Sequence, residues 1–333
     1  MSKTAAPETE SLAEAVAGGD RRALAQAITL VESTRAEDRP KADALLEKLL
    51  PRTGKSIRLG VSGAPGVGKS TFIETFGLHV VAQGHRLAVL AVDPSSRIGG
   101  GSILGDKTRM AELAANQRAF IRPSPAGQTL GGVARRSREA LLLCEAAGHD
   151  VVLVETVGVG QSETAVADMT DMFLLLLQPG GGDELQGIKR GIVELADLIL
   201  VNKADGEMVE AAGRTAADYQ HALRLLRPAT AGWQPEVLRC SALTGTGIPE
   251  VWNKVEAFRK TVGGKAIAER RARQARAWLR AELADSLMEA FARHPDLARR
   301  LPALEAKVAA GSATPGAAAR SLLAGFLGEK TGN

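Results

Sequence analysis

The sequence predicts an α/β fold: a mostly parallel, doubly wound sheet with N-terminal helices before it and a C-terminal helical arm after it. Three observations predict this. Short apolar runs at 57–61, 87–92, 151–154, 172–177, 198–201 and 237–240 are mostly continuous rather than alternating, the pattern of strands buried on both faces of a parallel sheet. The segments 70–82, 129–147 and 207–226 between them are long enough for crossover helices, which sets up a βαβ rhythm. The first run leads into Gly63-Ala64-Pro65-Gly66-Val67-Gly68-Lys69-Ser70, which fits the P-loop NTPase pattern G-x-x-x-x-G-K-[ST].

Along the 333 residues, 1–52 read as an N-terminal helical extension. Leu12 and Val16, then Leu24, Ile28 and Val31, keep helical spacing. Gly18-Gly19-Asp20 interrupts that run, and Asp20 is placed to cap the second piece. Leu45, Leu46, Leu49 and Leu50 predict a further helix ending at Pro51. Residues 53–262 then hold the P-loop domain.

Residues 263–333 read as the arm. From 265 to 294 there is no Gly or Pro, and Trp278, Leu279, Leu283, Leu287 and Phe291 fall near one helical face. A helix of about 30 residues spans roughly 45 Å, long for a piece lying on a compact domain. Its apolar stripe therefore points to self-association. Arg270, Arg271, Arg273, Arg276 and Arg280 supply much of the net charge of +4 and are expected on a solvated face. One or two shorter helices are expected within 301–327, around Pro315-Gly316.

Composition removes several functions. Aromatic residues are 3% of the chain, too few for base-stacking platforms, so no nucleic acid partner is expected. The apolar runs are too short to span a bilayer, so no membrane association is expected. Glu8, Glu10, Glu14, Asp20 and Glu32 argue against a transit peptide, and no apolar stretch follows a basic start. A cytoplasmic location is the expectation. Cys144 and Cys240 lie far apart in apolar surroundings and are expected as buried free thiols. His79, His85, His149, His221 and His294 lack ligand spacing, so no zinc or nickel site is expected from this chain.

The motifs name a ligand. Glycines in the P-loop turn backbone N–H groups toward phosphate oxygens, and the following helix adds positive potential. Lys69 is placed to reach the β- and γ-phosphates, and the Ser70 hydroxyl to ligate Mg²⁺. Asn202-Lys203-Ala204-Asp205 follows the run 198–201 and fits the guanine-reading pattern N-K-x-D, at the strand edge where open α/β sheets bind ligands. The Asp205 carboxylate can accept from guanine N1–H and the 2-amino group, whereas adenine would leave it facing a lone pair. The stem of Lys203 can cover the base face. Ser241-Ala242-Leu243 fits a further guanine loop, with backbone N–H groups near O6. Together these make the chain read as a GTPase that binds GTP and GDP.

Glu155-Thr156-Val157-Gly158 ends the run 151–154, in the place of the usual D-x-x-G. Glu155 would act on Mg²⁺ or its water, and the Gly158 N–H on the γ-phosphate. Val159 stands where Ras-like GTPases carry the water-orienting glutamine, which predicts slow intrinsic hydrolysis accelerated by a partner. Gly158-Val159-Gly160 lacks the third glycine of a dinucleotide fingerprint. Gly-rich stretches at 93–106, 158–163 and 178–189 are candidate switches. Asp93 and Asp106 are candidate metal-shell or base carboxylates.

These residues also carry a resemblance. The P-loop with Thr71, Val92-Asp93-Pro94-Ser95-Ser96, Glu155-Thr156-Val157-Gly158-Val159-Gly160-Gln161-Ser162-Glu163, and Asn202-Lys203-Ala204-Asp205 resemble the MeaB/ArgK family of metallochaperone-type P-loop GTPases. The resemblance implies a chaperone for an adenosylcobalamin-dependent methylmalonyl-CoA mutase, using GTP to gate cofactor loading and to protect or reactivate the mutase. It implies a homodimer through the C-terminal arm. It also implies that Lys69 and Ser70 hold phosphate and Mg²⁺ while Asp93, Asp106 and Glu155 surround the metal, and that 180–189 relays to the mutase. Two other readings stay open: a GTP-dependent phosphotransferase or kinase, and a GTPase metallochaperone for another metalloenzyme.

Overall fold

The structure is a computed structural model and describes residues 5–92, 110–123, 130–156, 162–180 and 190–327. Strands β1 (Ile57–Gly63), β2 (Leu87–Val92), β3 (Ala119–Arg122), β4 (Val151–Thr156), β5 (Met172–Leu177), β6 (Leu198–Val201) and β7 (Glu236–Arg239) form one sheet in the order β3-β2-β4-β1-β5-β6-β7. Every pairing is parallel, so the predicted doubly wound sheet is the one observed. Every residue of β4, β5 and β6 is buried, as their lack of alternation requires. Two strands differ from expectation. The edge strand β3, Ala119-Phe120-Ile121-Arg122, has no predicted counterpart. The half-buried β7 begins and ends one residue before the run 237–240.

The helices are α1 (Ala5–Ala17), α2 (Arg21–Glu32), α3 (Arg39–Leu49), α4 (Lys69–Ala82), α5 (Ala111–Ala115), α6 (Leu130–Ala146), α7 (Ser162–Ala167), α8 (Arg190–Leu195), α9 (Val209–Leu223), α10 (Ile248–Arg293), α11 (Pro295–Ala309) and α12 (Pro315–Phe326). Asp20 caps α2 as predicted, its carboxylate accepting from the Ala23 N–H at 2.7 Å. Leu24, Ile28, Val31, Leu45 and Leu49 are buried, and α2 and α3 pack on α6. On α4, Phe72, Ile73, Phe76 and Val80 are buried in the core cluster that includes the sheet residues. Both cysteines are free and buried. Burial pushes the Cys240 thiol up to about 12. No helix of the described residues is long and apolar enough to cross a membrane.

The chain divides into two compact units, 1–274 and 275–333. Helix α10 is interrupted at Gly263, with φ 75° and ψ 155°, and the helix predicted over 265–294 is the part after this kink. In the second unit, α11 and α12 pack on each other. The rings of Phe291 and His294 lie 5.6 and 5.8 Å from that of Phe326. Leu279, Leu283 and Leu287 are 61%, 54% and 59% exposed.

The arginine-rich stretch departs from the solvated face expected of it. Arg273, Arg276 and Arg280 are exposed, but Arg271 donates to both carboxylate oxygens of the buried Asp171, at 2.8 and 2.6 Å, and to the carbonyls of Gly54 and Ser56. Arg270 donates to Thr230 Oγ1 at 2.7 Å beside the buried Asp197. The Gln274 amide donates to the Thr170 carbonyl at 2.9 Å. Buried carboxylates need paired cations, and these three side chains of α10 supply the pairing and hydrogen bonds.

Glu145 on α6 sits beside this cluster. Arg58 on β1 grips it with two hydrogen bonds of 2.8 and 2.9 Å, and Ser56 and the Gly54 N–H also donate to it. Burial acts to raise its carboxyl, but Arg58 foremost, then Ser56 and Gly54, hold it below the usual carboxylate range. Removing one partner of a buried pair strands the other charge. Glu145→Ala is therefore expected to cost about 3–5 kcal/mol of stability, measured by urea unfolding. The pH dependence has a fixed sign. The depressed carboxyl contributes stability above the unfolded value of about 4.3, lost as pH falls through the lower folded value. A variant as stable as wild type at pH 7 would remove this pair from the stability argument.

Candidate nucleotide site

The site gathers at the C-terminal ends of β1, β4 and β6. Register fixes this: Val61 pairs with Glu155, Gly63 with Leu176, and Leu177 with Val201. Central β1 lies between β4 and β5, the switch point where doubly wound sheets open a crevice.

The P-loop joins β1 to α4. Gly68 precedes the helix with φ 91° and ψ 31°, a left-handed conformation that glycine adopts at little cost. A Cβ there would lie 2.8 Å from Asn202 Nδ2, and a Cβ on Gly63 would lie 2.5 Å from the Leu176 carbonyl. Gly63 is closed to a side chain by the backbone of β5, and Gly68 by the Asn202 side chain. Lys69 arches back over the turn, its Nζ donating to the Gly63 and Ala64 carbonyls at 2.8 and 3.2 Å. Burial lowers the Lys69 ammonium from its ordinary value, and the nearby Glu155 and Glu163 charges counter that shift. Ser70 and Thr71 stand in the first turn of α4, where free N–H groups and the helix dipole favour anions.

The structure ties the guanine-pattern segment to this loop. Asn202 is buried; its amide donates to the Val67 carbonyl at 2.9 Å and accepts from the Ala242 N–H at 3.0 Å. One side chain thus bonds the phosphate loop and the third motif. Lys203 takes a positive φ of 58°, uncommon for a residue with a side chain, and its Nζ donates to the Gly66 carbonyl at 2.7 Å. Ser241 donates its hydroxyl to Asp205 Oδ2, which orients the carboxylate, and Leu243 is 81% exposed. Gly63, Ala64, Pro65, Gly66, Val67, Gly68, Lys69, Asn202, Lys203, Asp205, Ser241 and Ala242 therefore converge through strand ends and direct bonds.

Glu155 is buried near the end of β4, and the adjacent Thr156 hydroxyl donates to Ser62 Oγ at 3.0 Å. Glu163, at the start of α7, is also buried. Its charge acts on Lys69, a role that the sequence does not assign to it. The only advance signal was its position in the E-T-V-G-V-G-Q-S-E string. Asp93, Asp106, Gly158, Val159 and the stretch 181–189 lie outside the described residues. The donors that are described, the Ser70 hydroxyl and the Glu155 carboxylate, are hard oxygen ligands. With Lys69 at the phosphate end, they fit Mg²⁺, which is held by one or two carboxylates plus substrate phosphates.

A parallel doubly wound sheet, a P-loop between its central strand and α4, and an N-K-x-D segment bonded to that loop define a P-loop GTPase. The family model described as "Methylmalonyl Co-A mutase-associated GTPase MeaB" matches residues 24–296, and the chain belongs to that MeaB family. A "Putative GTPase" of Caulobacter vibrioides is 55% identical over 96% of this chain and 98% of its own. The mouse "Methylmalonic aciduria type A homolog, mitochondrial" is 50% identical over 92% of this chain and 77% of its own. The Escherichia coli "GTPase ArgK" is 49% identical over 84% of this chain and 85% of its own. A crystal structure described as an LAO/AO transport system kinase superposes with a TM-score of 0.76, at 37% identity, over 98% of this chain and 99% of that one.

Proposed function

We propose that this GTPase is a cytoplasmic chaperone for an adenosylcobalamin-dependent methylmalonyl-CoA mutase, using GTP to gate cofactor loading and to protect or reactivate the mutase. The observation that carries this reading is the match to the mutase-associated GTPase family over residues 24–296. In this reading the product of the reaction is a conformation. GTP and GDP must favour different switch states, because only differential affinity shifts a population.

The residues take the following roles. N–H groups of 63–71 and Lys69 hold the phosphates, and Gly158 meets the γ-phosphate. Asp205 reads N1–H and the 2-amino group, Lys203 covers the base face, and N–H groups of 241–243 meet O6. Ser70, Asp93, Asp106 and Glu155 would hold Mg²⁺, which when bound neutralises charge on the β- and γ-phosphates. With Val159 in place of a water-orienting glutamine, the isolated chain hydrolyses GTP slowly. Leu279, Leu283 and Leu287, spaced four apart and more than half exposed, support a homodimer in which a second copy covers this stripe on the arm.

The test is GTP hydrolysis by the purified chain with and without purified methylmalonyl-CoA mutase, alongside a sizing column. The expected result is slow turnover alone, a dimer by elution, and at least about tenfold faster turnover with the mutase. A charge supplied in trans gives GTPases about 10³- to 10⁵-fold. No acceleration and no co-elution would remove the mutase as partner. The name of the solved relative favours one second reading, a phosphotransferase. Radiolabel from γ-labelled GTP appearing on an acceptor other than water would support it.

A further inference from the structure

We infer that Thr75 is a positioning residue for guanine discrimination: its hydroxyl fixes the Ala242–Leu243 peptide that faces the base carbonyl. The inference rests on the guanine reading above and names a residue on the phosphate-loop helix as part of it.

Donor bookkeeping in the loop after β7 leads there. The Ser241 N–H donates to the Thr246 carbonyl at 2.8 Å and the Gly245 N–H to the Ser241 carbonyl at 2.9 Å. The Ala242 N–H is taken by Asn202 Oδ1 and the Thr244 N–H by Ser241 Oγ at 3.1 Å. Among the described residues, the Leu243 N–H has no protein acceptor, at a residue 81% exposed. Its two preceding neighbours are bonded to Asp205 and Asn202. The loop thus keeps one open donor beside the base-reading segment.

What aims that donor is Thr75. Its Oγ1 lies 2.6 Å from the Ala242 carbonyl oxygen and 3.1 Å from that of Thr71. A helical threonine ordinarily bonds the carbonyl four residues back. Here the closer contact crosses 167 residues of chain to the loop, and the single hydroxyl proton goes chiefly to the nearer oxygen. The side-chain methyl faces the loop as well, 3.9 Å from where a Cβ on Gly245 would stand. The Ala242–Leu243 peptide is planar and trans. Its carbonyl and N–H therefore point in opposite directions. Holding the carbonyl against α4 turns the Leu243 N–H away from α4. A fixed N–H donates to the guanine carbonyl and opposes the adenine amino group, whereas a peptide free to rotate would discriminate less.

Thr75→Val keeps the shape and removes only the hydroxyl. Affinities of the full-length variant are measured by displacement of a fluorescent guanosine diphosphate, using GDP, IDP, ADP and 2-aminopurine riboside diphosphate. GDP and IDP carry the carbonyl; 2-aminopurine does not, and weak binding of it by wild type is the expected baseline. The expected result is about fivefold weaker GDP and IDP binding, the scale of one net hydrogen bond, with 2-aminopurine nucleotide affinity unchanged. Thr75→Ser restores GDP affinity. Equal losses for all nucleotides, or no loss for GDP, would overturn the positioning role. Wild type that binds ADP as tightly as GDP would overturn the guanine reading itself. Thermal melting of both variants separates these results from misfolding.

Discussion

Asp205→Asn is expected to exchange guanine for xanthine as the preferred base, lowering GTP affinity by about 10³- to 10⁴-fold while creating affinity for xanthosine triphosphate. The carboxylate offers two acceptors, matched to N1–H and the 2-amino group. An amide offers one acceptor and one donor, so it faces the 2-amino group donor to donor, and a buried polar clash of that kind is costly. Xanthine carries a carbonyl at position 2 and restores the match. The fold accommodates the change. Ser241 now donates to Asp205 Oδ2, and its hydroxyl can turn to accept the second amide proton, so the loop keeps that anchor. Competition binding with both triphosphates decides the matter, and unchanged GTP affinity would remove Asp205 from base recognition.

The sheet and the site were legible to different depths for physical reasons. Strands β2, β5 and β6 are buried along their whole length and their sequences are unbroken apolar runs, while β1 is interrupted by Arg58 and Ser62 and β4 ends on Glu155 and Thr156. Edge strand β3 has only Phe120 and Ile121 to mark it between Ala119 and Arg122, too short a block to separate from a loop. The ligand-facing motifs were legible because phosphate and guanine demand fixed residue types at fixed spacing. What holds those motifs together was not. Asn202 reaches Val67 across 135 residues and Ala242 across 40, and no local pattern encodes either partner. The same separation hid Arg270 and Arg271. An arginine cluster on a helix reads as solvated until Asp171 and Asp197 come to it from the ends of other elements. Thr75, spaced like any helical residue, carried no signal at all.

Lys69→Ala is expected to reduce GTP hydrolysis by about 10²- to 10³-fold, the scale of removing one preorganised electrostatic group from a transition state. Preorganisation is visible at this side chain. Burial has already cost the Lys69 ammonium part of its proton affinity, and its bonds to the Gly63 and Ala64 carbonyls hold Nζ inside the phosphate turn. Little rearrangement is then left for the moment when charge spreads over the transferring phosphoryl group. The Glu155 and Glu163 charges counter the shift from burial, and the phosphates of a bound triphosphate would add to their effect. The alanine variant should fold, since the two carbonyls it frees belong to Gly63 and Ala64, which are only partly buried. Single-turnover hydrolysis at saturating GTP, beside a thermal melt, separates the roles. A lost rate with a retained melt assigns Lys69 to the chemistry. A retained rate would mean that backbone N–H groups and Mg²⁺ alone carry the charge, and Lys69 would then be only the strut that closes the loop.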